Sequence, residues 1–186
     1  MSPGPVEADA TGGDRADVGA LLGREPKGAF VVVRRGPGGS PVVIENAPLL
    51  DDGTPMPTRY WLVDRTLREA VSRLEAAGGV RRAEAEVDPA ALAAAHRRYA
   101  AGRDAALAPD HTGPRPTGGV GGTRVGVKCL HAHLAYLLAG GNDPVGAWVA
   151  ERLAETLAEL GLCAPGASDP TASDPVIGEE GGTERR

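Results

Sequence analysis

The sequence predicts an α+β protein: a small antiparallel sheet of two or three strands packed by about four helices, with disordered tails. Three observations carry this expectation. A β-branched run at 29–34 (AFVVVR) is followed, after one turn, by a second at 42–45 (VVIE). From residue 65 onward, apolar residues recur at helical spacing. Both ends of the 186-residue chain are rich in Gly, Pro and small polar residues, a composition that buries too little apolar surface to fold.

The elements follow in order. Residues 1–14 read as a disordered tail, 15–163 as a single α+β domain, and 164–186 as a disordered acidic Gly/Pro/Ser tail. A short helix is expected over 17–23, closed by Gly23. The strands at 29–34 and 42–45 flank GPGGS (36–40), so they pair as a hairpin. DDG at 51–53 marks another turn, and TRYWLV at 58–63 a third strand. Asp64 is placed to cap a helix over 65–77, with Leu67, Ala70, Val71 and Leu74 on its apolar face and Gly78-Gly79 at its end. Asp88-Pro89 opens a long Ala-rich helix to about residue 107. A Gly/Pro loop over 109–126 leads to helices at 127–139 and 144–160, the last capped by Asn142 or Asp143. The expected core comprises Val31, Val33, Val43, Leu62, Leu67, Leu74, Leu130, Leu134, Leu137 and Leu153.

Composition narrows the function classes. Aromatic residues make up 3% of the chain, so the core rests on aliphatic side chains and alanine. The net charge of −5 disfavours nucleic acid, because counterion release gives an acidic surface little affinity for phosphates. The Arg34-Arg35, Arg81-Arg82 and Arg97-Arg98 doublets read as solvated faces. No apolar run approaches the roughly 20 residues of a membrane span, and no secretory leader is evident. Two cysteines, Cys129 and Cys163, are too few for a disulfide framework and suit a reducing cytoplasm.

The segment PTGGVGGTRVGVKCLHAHLAYLLAGG (116–141) concentrates the residues that can do chemistry. A glycine loop entering a helix offers free backbone N–H groups at a positive dipole end, an anion site. Gly119, Gly121 and Gly122, with Arg124 and Lys128, are its candidate residues. It is not a nucleotide-binding P-loop. Gly121 and Gly126 have the required spacing, but Val127 precedes Lys128 and Cys129 stands where a hydroxyl is needed. On a regular helix Cys129 and His133, four apart, reach one metal ion. His131 points away and joins Cys129 only if 129–131 precede the first full turn. Zinc or iron is the cofactor such a Cys/His set suits. On the long helix, His96 and Arg103 are seven apart and share a face, which reads as solvated or as one wall of a site.

Three functional readings remain open on these residues. The first is an interaction or regulatory module without catalysis, with a protein partner. The second is a small metal- or anion-binding protein. The third is an enzyme using Cys129 or His131 on a phosphate or acyl substrate.

The runs RRGPGGSPVVIENAPLLDDGTPMPTRYWLV, LREAVSRLEAAGGV and GGVGG…VKCLHAHLAYLLAGGNDPVG resemble the bacterial family of unknown function numbered 501, over about residues 21–153. The resemblance implies no activity. It does imply a ligand set: in relatives a Cys-Pro pair stands at the position of Gly36-Pro37, and a Cys or His at that of Asp64. With the residues matching Cys129 and His131, these make a four-ligand metal or cluster site. Here Cys129 and His131 are kept, and Asp64 stands as an oxygen ligand.

Overall fold

The computed structural model describes residues 10–162. Cys163 and both expected tails beyond these limits lie outside the described residues. The helix expected at 17–23 is longer: α1 spans Gly12–Leu22, because the Thr11 side chain accepts a bond from Asp14 N and caps it earlier. Ordered structure therefore reaches back into the segment expected as tail, and Ala10 N donates to Phe30 O at 2.8 Å.

Strands β1 (Phe30–Arg35), β2 (Pro41–Asn46) and β3 (Tyr60–Leu62) form one antiparallel sheet in the order β1-β2-β3. Every residue of β2 is buried, because both faces of the sheet are covered. Ile44 and its partner Trp61 face α1, meeting Val18, Phe30 and Val63. Val43 and its partner Leu62 face the main core.

That core is built by helices. The Asp64 carboxylate caps α2 (Arg65–Ala76), accepting from Leu67 N at 2.8 Å. The Gly78-Gly79 stop ends α2, but α3 (Gly79–Glu86) starts at once. Asp88 caps α4 (Pro89–Asp104). Helices α5 (Leu130–Leu138), α6 (Pro144–Arg152) and α7 (Ala154–Glu159) complete the layer. Seven α-helices thus stand among the described residues where about four were expected. The single helix expected at 144–160 is broken at Leu153, whose ψ of 22° leaves the helical well.

Helix α5 is the centre of the fold, lying on β3, α2 and α6. All its residues are buried except His131, which is half-buried. A helix that is apolar nearly all round belongs in a core, and here Leu130, Leu134 and Leu137 fill it as expected. Val33, Leu74 and Leu153 pack at its margin, whereas Val31 joins neither cluster. Three tyrosines, Tyr60, Tyr99 and Tyr136, form a ring cluster with centroids 5.1–5.9 Å apart. No helix among the described residues is long and apolar enough to cross a membrane.

Candidate functional site

The start of α5 decides which candidate ligands meet. Cys129 has extended backbone (φ −154°, ψ 119°) and is the residue before the helix, not part of it. The four-residue relation between Cys129 and His133 therefore does not hold. Instead Cys129 Sγ lies 3.7 Å from His131 Nδ1. His133 is turned into the core, where its Nδ1 donates to both Asp143 oxygens at 3.0 and 2.8 Å. Both side chains of that pair are fully buried, so His133 does not reach the Cys129–His131 group.

Glu75 joins Cys129 and His131. It lies in the last turn of α2, and its Oε1 accepts from Leu130 N at 2.6 Å and sits 3.3 Å from His131 Nδ1. The first N–H of α5, where the glycine loop was expected to hold an external anion, is thus satisfied by the protein's own carboxylate. The other ring nitrogen, Nε2, faces the Arg68 carbonyl at 3.1 Å and Ser72 Oγ at 3.3 Å. A carbonyl only accepts, so Nε2 carries a proton; the Glu75 carboxylate also only accepts, so Nδ1 meets it through a second proton or through a bound cation. Burial alone favours the neutral ring. Hydrogen bonds to Cys129 and to the Arg68 carbonyl, with the charges of Cys129 and Glu75, outweigh it and raise His131 above the ordinary histidine value.

Asp64 does not join this group. It is spent on the α2 cap, and eleven residues of helix separate it from Glu75, about 16 Å at 1.5 Å per residue. Gly36-Pro37 sits at the β1–β2 turn, where Pro37 packs near Gly161. Cys129 and His131 border a cleft of about 920 Å³. Leu21, Trp61 and Leu62 give it apolar walls, and Arg65, Arg68 and Ser72 line its polar side.

The glycine loop goes elsewhere. Gly121 and Gly122 form a short 3-10 turn, and Lys128 is exposed. Gly119 and Arg124 line a second cleft beside α4. Two buried side chains of α4 fasten the loop there. Arg103 donates to Thr117 O and Gly118 O, at 3.3 and 2.7 Å. His96 Nδ1 accepts from Val120 N at 3.0 Å, and Nε2 donates to Gly126 O at 3.1 Å. The approach requires glycine: a Cβ on Gly119 would lie 2.5 Å from His96 Cβ, and Gly118 has φ +81°.

Both nitrogens of neutral His96 are used, and burial pushes its pKa below the ordinary value. In the unfolded chain it returns to about 6.5. As pH falls, the unfolded state takes up this proton first. The contribution to stability is complete above about 6.5 and is lost as pH falls toward the lower folded value. Urea midpoints should fall more between about pH 7.5 and 5.5 in the wild type than in His96→Gln. Equal slopes would remove His96 from this role.

Neither a curated protein nor a solved structure matches the chain. A family model described as protein of unknown function (DUF501) matches residues 32–151, which run from β1 to the last turn of α6 and include Glu75, Cys129 and His131. The chain belongs to that family.

Proposed function

We propose that this protein binds one zinc- or iron-class ion through Cys129 Sγ, His131 Nδ1 and Glu75 Oε1. The observation that carries the reading is convergence on one nitrogen: Cys129 and Glu75 both face His131 Nδ1. A thiol–imidazole–carboxylate relay needs its two partners on opposite ring nitrogens. Convergence on one nitrogen suits a shared ion instead. Around a tetrahedral ion with bonds of about 2.0–2.3 Å, ligand atoms stand about 3.3–3.8 Å apart. The two distances here, 3.7 and 3.3 Å, fall in that range. Nε2 is anchored by a backbone carbonyl, as the outer nitrogen of a metal-bound histidine usually is. Thiolate, imidazole and carboxylate together suit zinc or ferrous iron better than magnesium or calcium.

Three protein ligands leave one position open, and two of the three border the cleft. An ion so held supplies Lewis acidity to an oxygen ligand. Ligation through a reduced thiol accords with a cytoplasmic location.

Elemental analysis of protein purified without chelator tests the reading. Close to one equivalent of zinc or iron is expected, and loss of it in Cys129→Ser/His131→Ala. A wild type that stays metal-free after incubation with zinc and with ferrous iron overturns the proposal. The Cys/His residues would then be structural, and the chain an interaction module with a protein partner.

A further inference from the structure

We infer that the cleft between α4 and the glycine loop binds a small, multiply charged phosphate anion of the diphosphate class. It shares no residue with the Cys129–His131 cleft, so the inference stands apart from the metal reading. The cleft measures about 550 Å³. One wall is a single face of α4, carrying Ala93, Arg97, Ala100 and Arg103 at helical spacing. The other wall is the loop over 115–119, with Arg124.

Four guanidinium groups and one carboxylate border this space. Arg103 holds the carboxylate of Asp104 through Nε and Nη2, at 3.0 and 2.8 Å, so those charges cancel. Arg97, Arg115 and Arg124 are exposed, and among the described residues none of them pairs with a carboxylate. Arg115 reaches one carbonyl, that of His111, at 3.4 Å. Elsewhere among the described residues some exposed arginines are matched with acids, as Arg35 with Asp14, Arg65 with Glu69 and Arg152 with Glu86, and others, such as Arg73, Arg81 and Arg82, are not; the cleft differs in bringing three unmatched ones together. Here three positive charges stay unmatched in one cleft of a protein whose net charge is −5.

The chemistry of the ligand follows. A single exposed ion pair adds little in water, so binding requires several charges on one ligand. Guanidinium forks match the oxygens of phosphate groups, two at a time. No Phe, Tyr or Trp lines the cleft, and the one imidazole there, His96, is buried and bonded through both nitrogens to the loop, which leaves the anion itself as the recognised part. His96 and Arg103 hold the loop against α4, so the positive groups are placed before the ligand arrives, which lowers the entropy lost on binding.

Calorimetric titration of the full chain with inorganic pyrophosphate at low salt tests the site. Orthophosphate, citrate and a short single-stranded oligonucleotide serve as competing probes. Pyrophosphate is expected to bind one to one, about tenfold or more tighter than the other probes, and to weaken as salt is raised. Arg97→Ala and Arg124→Ala should each weaken it about tenfold with unchanged unfolding midpoints, since both side chains are exposed. Arg73→Ala, an equal charge change at an exposed position of α2, should leave it unaltered. Absence of pyrophosphate binding overturns the inference. So does equal weakening by Arg73→Ala, or tighter binding of citrate or the oligonucleotide.

Discussion

Asp143→Ala is expected to destabilise the fold by about 2–4 kcal/mol, the cost of leaving a buried hydrogen-bond donor unmatched and of losing a helix cap. Asp143 does two things at once. Its Oδ1 accepts from Gly146 N at 2.8 Å and so caps α6. Its two oxygens hold His133 Nδ1 in the centre of α5. His133 Nε2 is itself buried and without a partner among the described residues. Truncating Asp143 leaves both ring nitrogens unmatched in the core and the first turn of α6 uncapped. Helices α5 and α6 touch closely here: a Cβ on Gly146 would come 2.6 Å from His133 O. Total stability of a domain this size is about 5–15 kcal/mol, so the loss is a large fraction of it. Asp143→Asn keeps an acceptor and the cap, and should lose about 1–2 kcal/mol. Urea midpoints at neutral pH separate these. An alanine variant within about 1 kcal/mol of wild type would mean that the pair's desolvation cost already cancels its attraction.

What was legible in the sequence is what is encoded locally. The caps at Asp64, Asp88 and Asp143 and the strand runs lie within a few residues of the structure they set. Helix α3 was missed because Gly78-Gly79 reads as a stop. Gly78, with φ +82°, instead redirects the chain into the next helix. At the site, Cys129 and His131 were legible as a cluster, but their pairing turned on where α5 begins, and no capping side chain marks that start. Glu75 carried no signal. It lies 54 residues before Cys129, and only the packing of α2 on α5 brings it in. Of the three unmatched arginines, Arg124 was legible as part of an anion site; Arg115 carried no signal, and Arg97 read as part of a solvated doublet, because the loop that faces it comes 18 or more residues later. Asp64 shows the converse. Its sequence position invited a ligand role, but its carboxylate has a local backbone partner that defines the start of α2.

Those two carboxylates, at opposite ends of α2, allow the metal reading to be tested against the capping reading directly. Glu75→Gln is expected to weaken zinc binding about 100-fold while changing stability by less than about 1 kcal/mol. The amide oxygen keeps the shape and the acceptor that Leu130 N requires, so the start of α5 holds. The amide is neutral, and it is a far poorer ligand than a carboxylate. Asp64→Asn makes the same chemical change eleven residues earlier. Asn caps a helix as well as Asp does, so stability should persist there too. Zinc affinity should not move, because Asp64 lies about 16 Å from Glu75 along the helix. Competition against a chromophoric chelator reads both variants on one scale. If Glu75→Gln binds zinc as the wild type does, Glu75 is a capping residue alone. Two protein ligands would then remain, fewer than a structural or catalytic zinc site uses. If Asp64→Asn loses zinc instead, the ion is held by the ligand set that the family resemblance implies, and α2 must move to deliver it.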